Sequence, residues 1–145
     1  MIFSRIFLAA MAITGATALE ARPLTPAEGR FWPFSGDLPA CNHEGVLSRI
    51  QSRFSQREST YWKSGLVIQE FLDVRESGFR TAGMDLIPRR FCQSRVSMND
   101  GRVRNLKYWI GENQGIIGWS WGVEWCIAGL DHHNAFGPNC STAGP

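Results

Sequence analysis

A chain of 145 residues with a formal net charge of +2 carries no field strong enough to mark a nucleic-acid binder. Its composition, 43% hydrophobic and 19% charged, excludes a disordered or fibrous chain and suits one globular core. The four cysteines, Cys41, Cys92, Cys126 and Cys140, form an even set without C-x-x-C spacing. That argues for two disulfides in an oxidising compartment rather than a zinc site, and no bound cofactor is expected.

The chain opens with one positive charge at Arg5, an apolar or small run from Ile6 to Leu19, and the small-x-small triplet Ala16-Thr17-Ala18. This is the pattern of a secretory signal peptide over residues 1–18, too short and interrupted for a stable anchor. No later run is long and apolar enough to span a bilayer, so no membrane span is expected after cleavage. Residues 19–40 hold Pro23, Pro26, Pro33 and Pro39, a density that forbids a regular element and predicts an extended leader. Within it Phe31, Trp32 and Phe34 are unusually apolar for a linker. They suit packing on the domain's own surface or docking to a partner.

Residues 41–145 are expected to form a single disulfide-bonded α+β domain. Val46, Leu47, Ile50, Phe54 and Tyr61 fall on one helical stripe. Asn42 is the expected N-cap, Glu44 sits in the first turn, and the helix is expected to reach about Trp62 and stop before Gly65. Beside the stripe, Arg49, Arg53 and Arg57 recur at four-residue steps, as a solvated flank or a grip for a polyanion.

Four strand-like runs follow. Leu66 to Val74 is expected to break at Ser77-Gly78. Ile87 to Met98 opens on Pro88, and Asn99-Asp100-Gly101 is a hairpin turn. Val103 to Ile110 is the third run. The fourth, Gly118 to Ile127, alternates Trp119, Trp121, Val123, Trp125 and Ile127 against small or polar residues, the mark of a strand with one heavily loaded face. A short Gly111–Gly115 turn would pair Ile110 with Ile117, Tyr108 with Trp119 and Leu106 with Trp121. The resulting face, with Cys92, Val96 and Met98, is the surface the helix would cover. The expected fold is one N-terminal helix packed on a four-stranded antiparallel meander.

This register places Cys92 on the covered face, near Cys41 at the start of the lid, and turns Cys126 to the opposite face. Strands two and four lie about 9–10 Å apart across strand three, beyond disulfide reach. Cys41–Cys92 with Cys126–Cys140 is therefore the preferred pairing, and Cys41–Cys126 with Cys92–Cys140 the alternative.

Chemistry-bearing residues are sparse. Asp131, His132 and His133 form one titratable cluster in the tail loop, read either as an ordinary polar loop or as a partial metal site. No G-x-S-x-G elbow supplies a nucleophile, and Glu124 lacks an evident partner carboxylate.

The segments Val46 to Phe54, Ile87 to Cys92, Asn99-Asp100-Gly101, Val123 to Cys126 and Gly129-Leu130-Asp131, closed by Cys140, resemble a family of short exported, disulfide-containing bacterial proteins of uncharacterised function. The resemblance implies export and a single domain and carries over no catalytic residue. In outline the expected architecture is also similar to cystatin-like and nuclear-transport-factor-like folds, although the cystatin Q-x-V-x-G loop is absent.

Together these features point to a periplasmic or secreted, non-catalytic cell-envelope protein that binds or supports another protein. Phe31, Trp32, Phe34, Asp131, His132 and His133 are its candidate contacts. A small metal-dependent hydrolase centred on the Asp131-His132-His133 loop is one alternative. A carbohydrate- or envelope-polymer-binding module using exposed Trp residues and the row Arg49, Arg53 and Arg57 is the other.

Overall fold

The computed structural model describes residues 34–80 and 87–145, so Phe31 and Trp32 lie outside the described residues. One helix, α1 (Glu44–Arg57), leads into a π-helical turn at Glu58–Trp62. Four strands follow: β1 (Ile68–Arg80), β2 (Arg89–Met98), β3 (Val103–Gly111) and β4 (Gly122–Ile127). They form one antiparallel meander in the order β1-β2-β3-β4, the expected α+β arrangement. The helix is the first described element rather than the start of the chain.

The helix begins one residue later than Asn42 suggested. His43 is the N-cap, its Nδ1 accepting the Gly45 N–H at 3.1 Å, and Glu44 follows in the first turn. Val46, Ile50 and Phe54 are fully buried, each worth about 1.5–3 kcal/mol of apolar transfer. Tyr61 leaves the expected stripe and is 76% exposed. The π turn closes with i→i+5 geometry, which rotates the residues after Arg57 off the 3.6-residue phase. Trp62 turns inward instead, its ring 6.2 Å from Phe54. Lys63, at φ 52°, ends the segment.

The buried face of the sheet gathers Cys92, Val96, Met98, Leu106, Tyr108, Ile110, Val123, Trp125 and Ile127 beneath the helix. Tyr108 is completely buried and donates its hydroxyl to the Cys41 carbonyl at 2.8 Å. Burial pushes its phenol well above the usual tyrosine range.

β1 runs through Ser77-Gly78 rather than breaking there. Register irregularities between Ile68 and Glu70, Leu72 and Arg75, and Glu76 and Gly78 absorb the misfit, and Asp73 takes a left-handed φ of 51°. Such bulges also blunt a free sheet edge.

The fourth strand departs most from expectation. Ile110 pairs with Val123, Tyr108 with Trp125 and Leu106 with Ile127, six residues later than the short-turn register. Six is even, so each side chain stays on its expected face. The β3–β4 connection therefore extends beyond Gly111–Gly115 to residues 112–121, and Trp119 lies on it, 82% exposed rather than buried. Glycine explains the closure. A Cβ at Gly115 would sit 2.1 Å from the Trp119 carbonyl oxygen, and one at Gly122 would sit 2.1 Å from that of Gln114. Only glycine lets these backbones pass.

Both preferred disulfides are present. Cys41–Cys92 spans 51 residues and Cys126–Cys140 spans 14. By loop-closure entropy these are worth about 4 and about 3 kcal/mol. Cys126, Cys140 and Ala143 form a small second cluster with Phe136 and Ala128 on the far face of the sheet. There the C-terminal Pro145 reaches Gly78, its Cβ 3.0 Å from where a Gly78 Cβ would stand.

Candidate functional site

β4 is an edge strand, and the helix covers that edge with its arginine row. Arg49 Nη1 donates to the Trp121 carbonyl and Arg53 Nη1 to the Val123 carbonyl, each at 2.9 Å. The Arg49 guanidinium lies 4.2 Å from the Trp121 ring centroid, and that of Arg57 lies 4.6 Å from Trp125. Arg53 also pairs with Glu124 at 3.8 Å. The four-residue spacing thus matches successive outward carbonyls of the strand. The row seals an edge that would otherwise invite pairing with another chain, neither an idle flank nor an open polyanion grip.

Where the row ends, a cleft of about 480 Å³ opens. One wall is the helix end, Arg57, Tyr61 and Trp62. The floor is Trp125 to Ile127, and the other wall is the tail loop from Leu130 to Phe136. The His132 ring lies 4.9 Å from Trp62, which lies against Phe54, itself 5.8 Å from Trp125. Trp62, Trp125 and His132 thus line the cavity, with the buried Phe54 ring bridging the two indoles behind its wall. The buried Trp125 Nε1 has no hydrogen-bond partner among the described residues.

The tail loop is shaped by Asp131. Its carboxylate accepts the N–H groups of Ala135 at 3.1 Å and Phe136 at 2.8 Å, folding the loop over the cleft. His132 and His133 are exposed at the mouth. Among the described residues no three His, Cys, Asp or Glu side chains come together as a cation site. The cluster read from the sequence lies at the mouth of this cleft, with Asp131 holding the loop and His132 packed on an indole. Sequence spacing did not bring Tyr61 and Trp62 to this cleft, and it read Arg57 only as part of the arginine row. The cue available was a Tyr-Trp pair just past the end of a helical stripe.

Of the leader candidates, Phe34 is half-buried. The chain beside it is fastened to the domain. Glu112 accepts the Ser35 N–H at 2.8 Å and the Ser35 hydroxyl at 3.0 Å on one oxygen, and the Gly36 N–H at 2.8 Å on the other. Partial burial opposes ionisation of Glu112, but these three hydrogen bonds outweigh it and hold the carboxyl below its usual range. Gly36, at φ 72°, supplies the left-handed turn that aims both amides at one carboxylate. Leu38 then enters the core. This part of the leader packs on its own domain.

No family model, curated protein or solved structure matches the chain. Among the described residues no helix is long and apolar enough to cross a membrane.

Proposed function

We propose that the protein is an exported, non-catalytic binding protein of the cell envelope whose cleft receives an apolar side chain from a partner protein. The supporting observation is the make-up of that cleft: Arg57, Tyr61 and Trp62 rim a space of about 480 Å³ floored by Trp125, Cys126 and Ile127. Trp, Tyr and Arg are the residues that dominate binding energy where proteins meet, because each joins a large rigid surface to a polar tip. Leu130 and Phe136 add apolar walls, and Asp131 fixes the loop that carries them. Two disulfides suit an oxidising compartment. The signal-like residues 1–18 and the resemblance to short exported bacterial proteins belong to the same reading, with the periplasm as the compartment.

The test is a photoreactive benzoylphenylalanine in place of Tyr61, whose 76% exposure makes the exchange harmless to the fold. Irradiation of exporting cells is expected to give a discrete protein adduct that disappears in a Leu130→Asp background. The same probe at Phe79, remote from the cleft, is expected to give none. An adduct formed equally at both positions, or none at residue 61, refutes the reading. Saturable binding of glycan fragments at the cleft with no protein adduct would replace it with the polymer-binding alternative.

A further inference from the structure

The β3–β4 loop carries a feature that the cleft does not use. Ile116, Ile117 and Trp119 are 82%, 93% and 82% exposed, side by side at the tip of one hairpin. The tip has a defined shape. Gly115 N–H donates to Ser120 O, Gly118 N–H to Gly115 O and Trp119 N–H to Ile116 O. Its backbone also carries a conflict, because Ile117 sits at φ 60°. A β-branched residue is poorly suited to that left-handed region, where Asn or Gly fits better. The fold therefore gains neither burial nor backbone comfort from Ile117.

Four observations identify what this tip meets. From Asn113 to Val123 the sequence holds no charged residue. Ile116, Ile117 and Trp119 line neither the cleft nor the cavity on the far sheet face. The register Arg80–Arg89–Gly111–Gly122 sets two arginines at the same end of the sheet, their guanidinium groups over the Phe91 ring at 5.4 Å and the Trp109 ring at 4.6 Å. Lastly Glu112, at the base of the loop, clasps Ser35 and Gly36. Ser35 and Gly36, in the described part of the leader, are therefore fastened at this end.

We propose that the Ile116–Trp119 tip is a lipid-contact site that dips into the interface of a bilayer containing anionic phospholipid. Isoleucine side chains enter the acyl boundary, Trp119 sits at headgroup level with its indole N–H toward water, and Arg80 and Arg89 face the phosphates. A tip this small gives reversible contact. It becomes lasting only when a second membrane signal acts at the same end.

The test uses the full chain and sedimentation with phosphatidylethanolamine–phosphatidylglycerol vesicles, beside phosphatidylcholine vesicles. Ile117→Asn combined with Trp119→Ser is expected to lower partitioning to the anionic vesicles about tenfold or more. The same variant keeps or raises thermal stability, since it removes solvated apolar surface and relieves residue 117. Arg80→Gln with Arg89→Gln is expected to narrow the preference for anionic over zwitterionic vesicles. Brominated acyl chains are expected to quench a fluorescence component that Trp119→Phe removes. Equal partitioning of wild type and tip variant, or no Trp119-dependent quenching, overturns the proposal. A tip variant that instead converts an oligomer to a monomer assigns the surface to a second copy of the chain, and also overturns it.

Discussion

Trp125 and Trp119 lie six residues apart in one alternating stretch, yet the first is 3% exposed and the second 82%. Their local patterns are equivalent; what differs is the reach of the lid. Arg49, Arg53 and Arg57 follow β4 from Trp121 to Trp125, and Phe54 and Tyr108 fill the space beneath. Beyond Trp121 the helix has already begun, so nothing from α1 extends over Trp119. Trp121 is the intermediate case, half-buried under the Arg49 guanidinium and 6.3 Å from His43. Alternation specifies which way a side chain points. Burial is decided by the element laid on top.

The sharpest way to break the comparison is to truncate both indoles. Trp125→Ala is expected to cost about 3–5 kcal/mol, as for a large aromatic removed from a packed core. Trp119→Ala should stay within about 0.5 kcal/mol, as for an exposed site. Urea denaturation of the two variants measures the difference directly, and equal losses would mean the lid covers both.

The next effect concerns how the buried end is fastened. Replacing Cys126 and Cys140 by Ala should remove about 3 kcal/mol, the entropy of a short loop. It should also loosen the tail that forms one wall of the cleft. Thermal unfolding of the variant, with photocrosslinking at residue 61, separates the two consequences.

Tyr108 tests the ceiling of the core. Tyr108→Phe leaves the buried Cys41 carbonyl without its donor and should cost about 1–2 kcal/mol. The pH dependence carries its sign. Burial raises the folded-state pKa, so above about pH 10 the unfolded chain releases the phenolic proton while the folded chain keeps it. Stability from this group is therefore complete below that pH and falls as pH rises, and the fall should be absent in the Phe variant.

The smallest effect lies at the β2–β3 turn, far from either tryptophan. The side-chain hydrogen bond from Arg104 holds the Asp100 carboxyl down to about 2 from an ordinary 3.8. Its contribution is present above pH 3.8 and lost as pH falls toward 2. Asp100→Asn should flatten the acid limb of the stability profile over that window and leave the alkaline limb untouched.

Much of this arrangement was legible because its causes are local. The helix stripe, the Asn99–Gly101 turn and strand parity follow from spacing alone, and parity with strand separation ranked the pairing found, Cys41–Cys92 with Cys126–Cys140, above its alternative. The β3–β4 register was not legible. Gly115 reads as the end of a tight turn, but it is half of a glycine neck whose other half is Gly122. That contact exists only once the loop has closed. The role of the arginine row was hidden for a similar reason: a four-residue spacing states a face, and only the docked helix shows that the face meets strand carbonyls. The tail cluster pointed to the cleft through Asp131 and His132. Its other wall was missed because the π turn moved Tyr61 and Trp62 off the phase that the stripe predicts.

The most direct test of the central claim, that the helix lid stops short of the hairpin tip, is acrylamide quenching of tryptophan fluorescence in the wild type and in Trp119→Phe. The account predicts that the variant loses the most readily quenched component and shifts to shorter emission wavelength. An unchanged spectrum and quenching curve would place Trp119 under cover and contradict it.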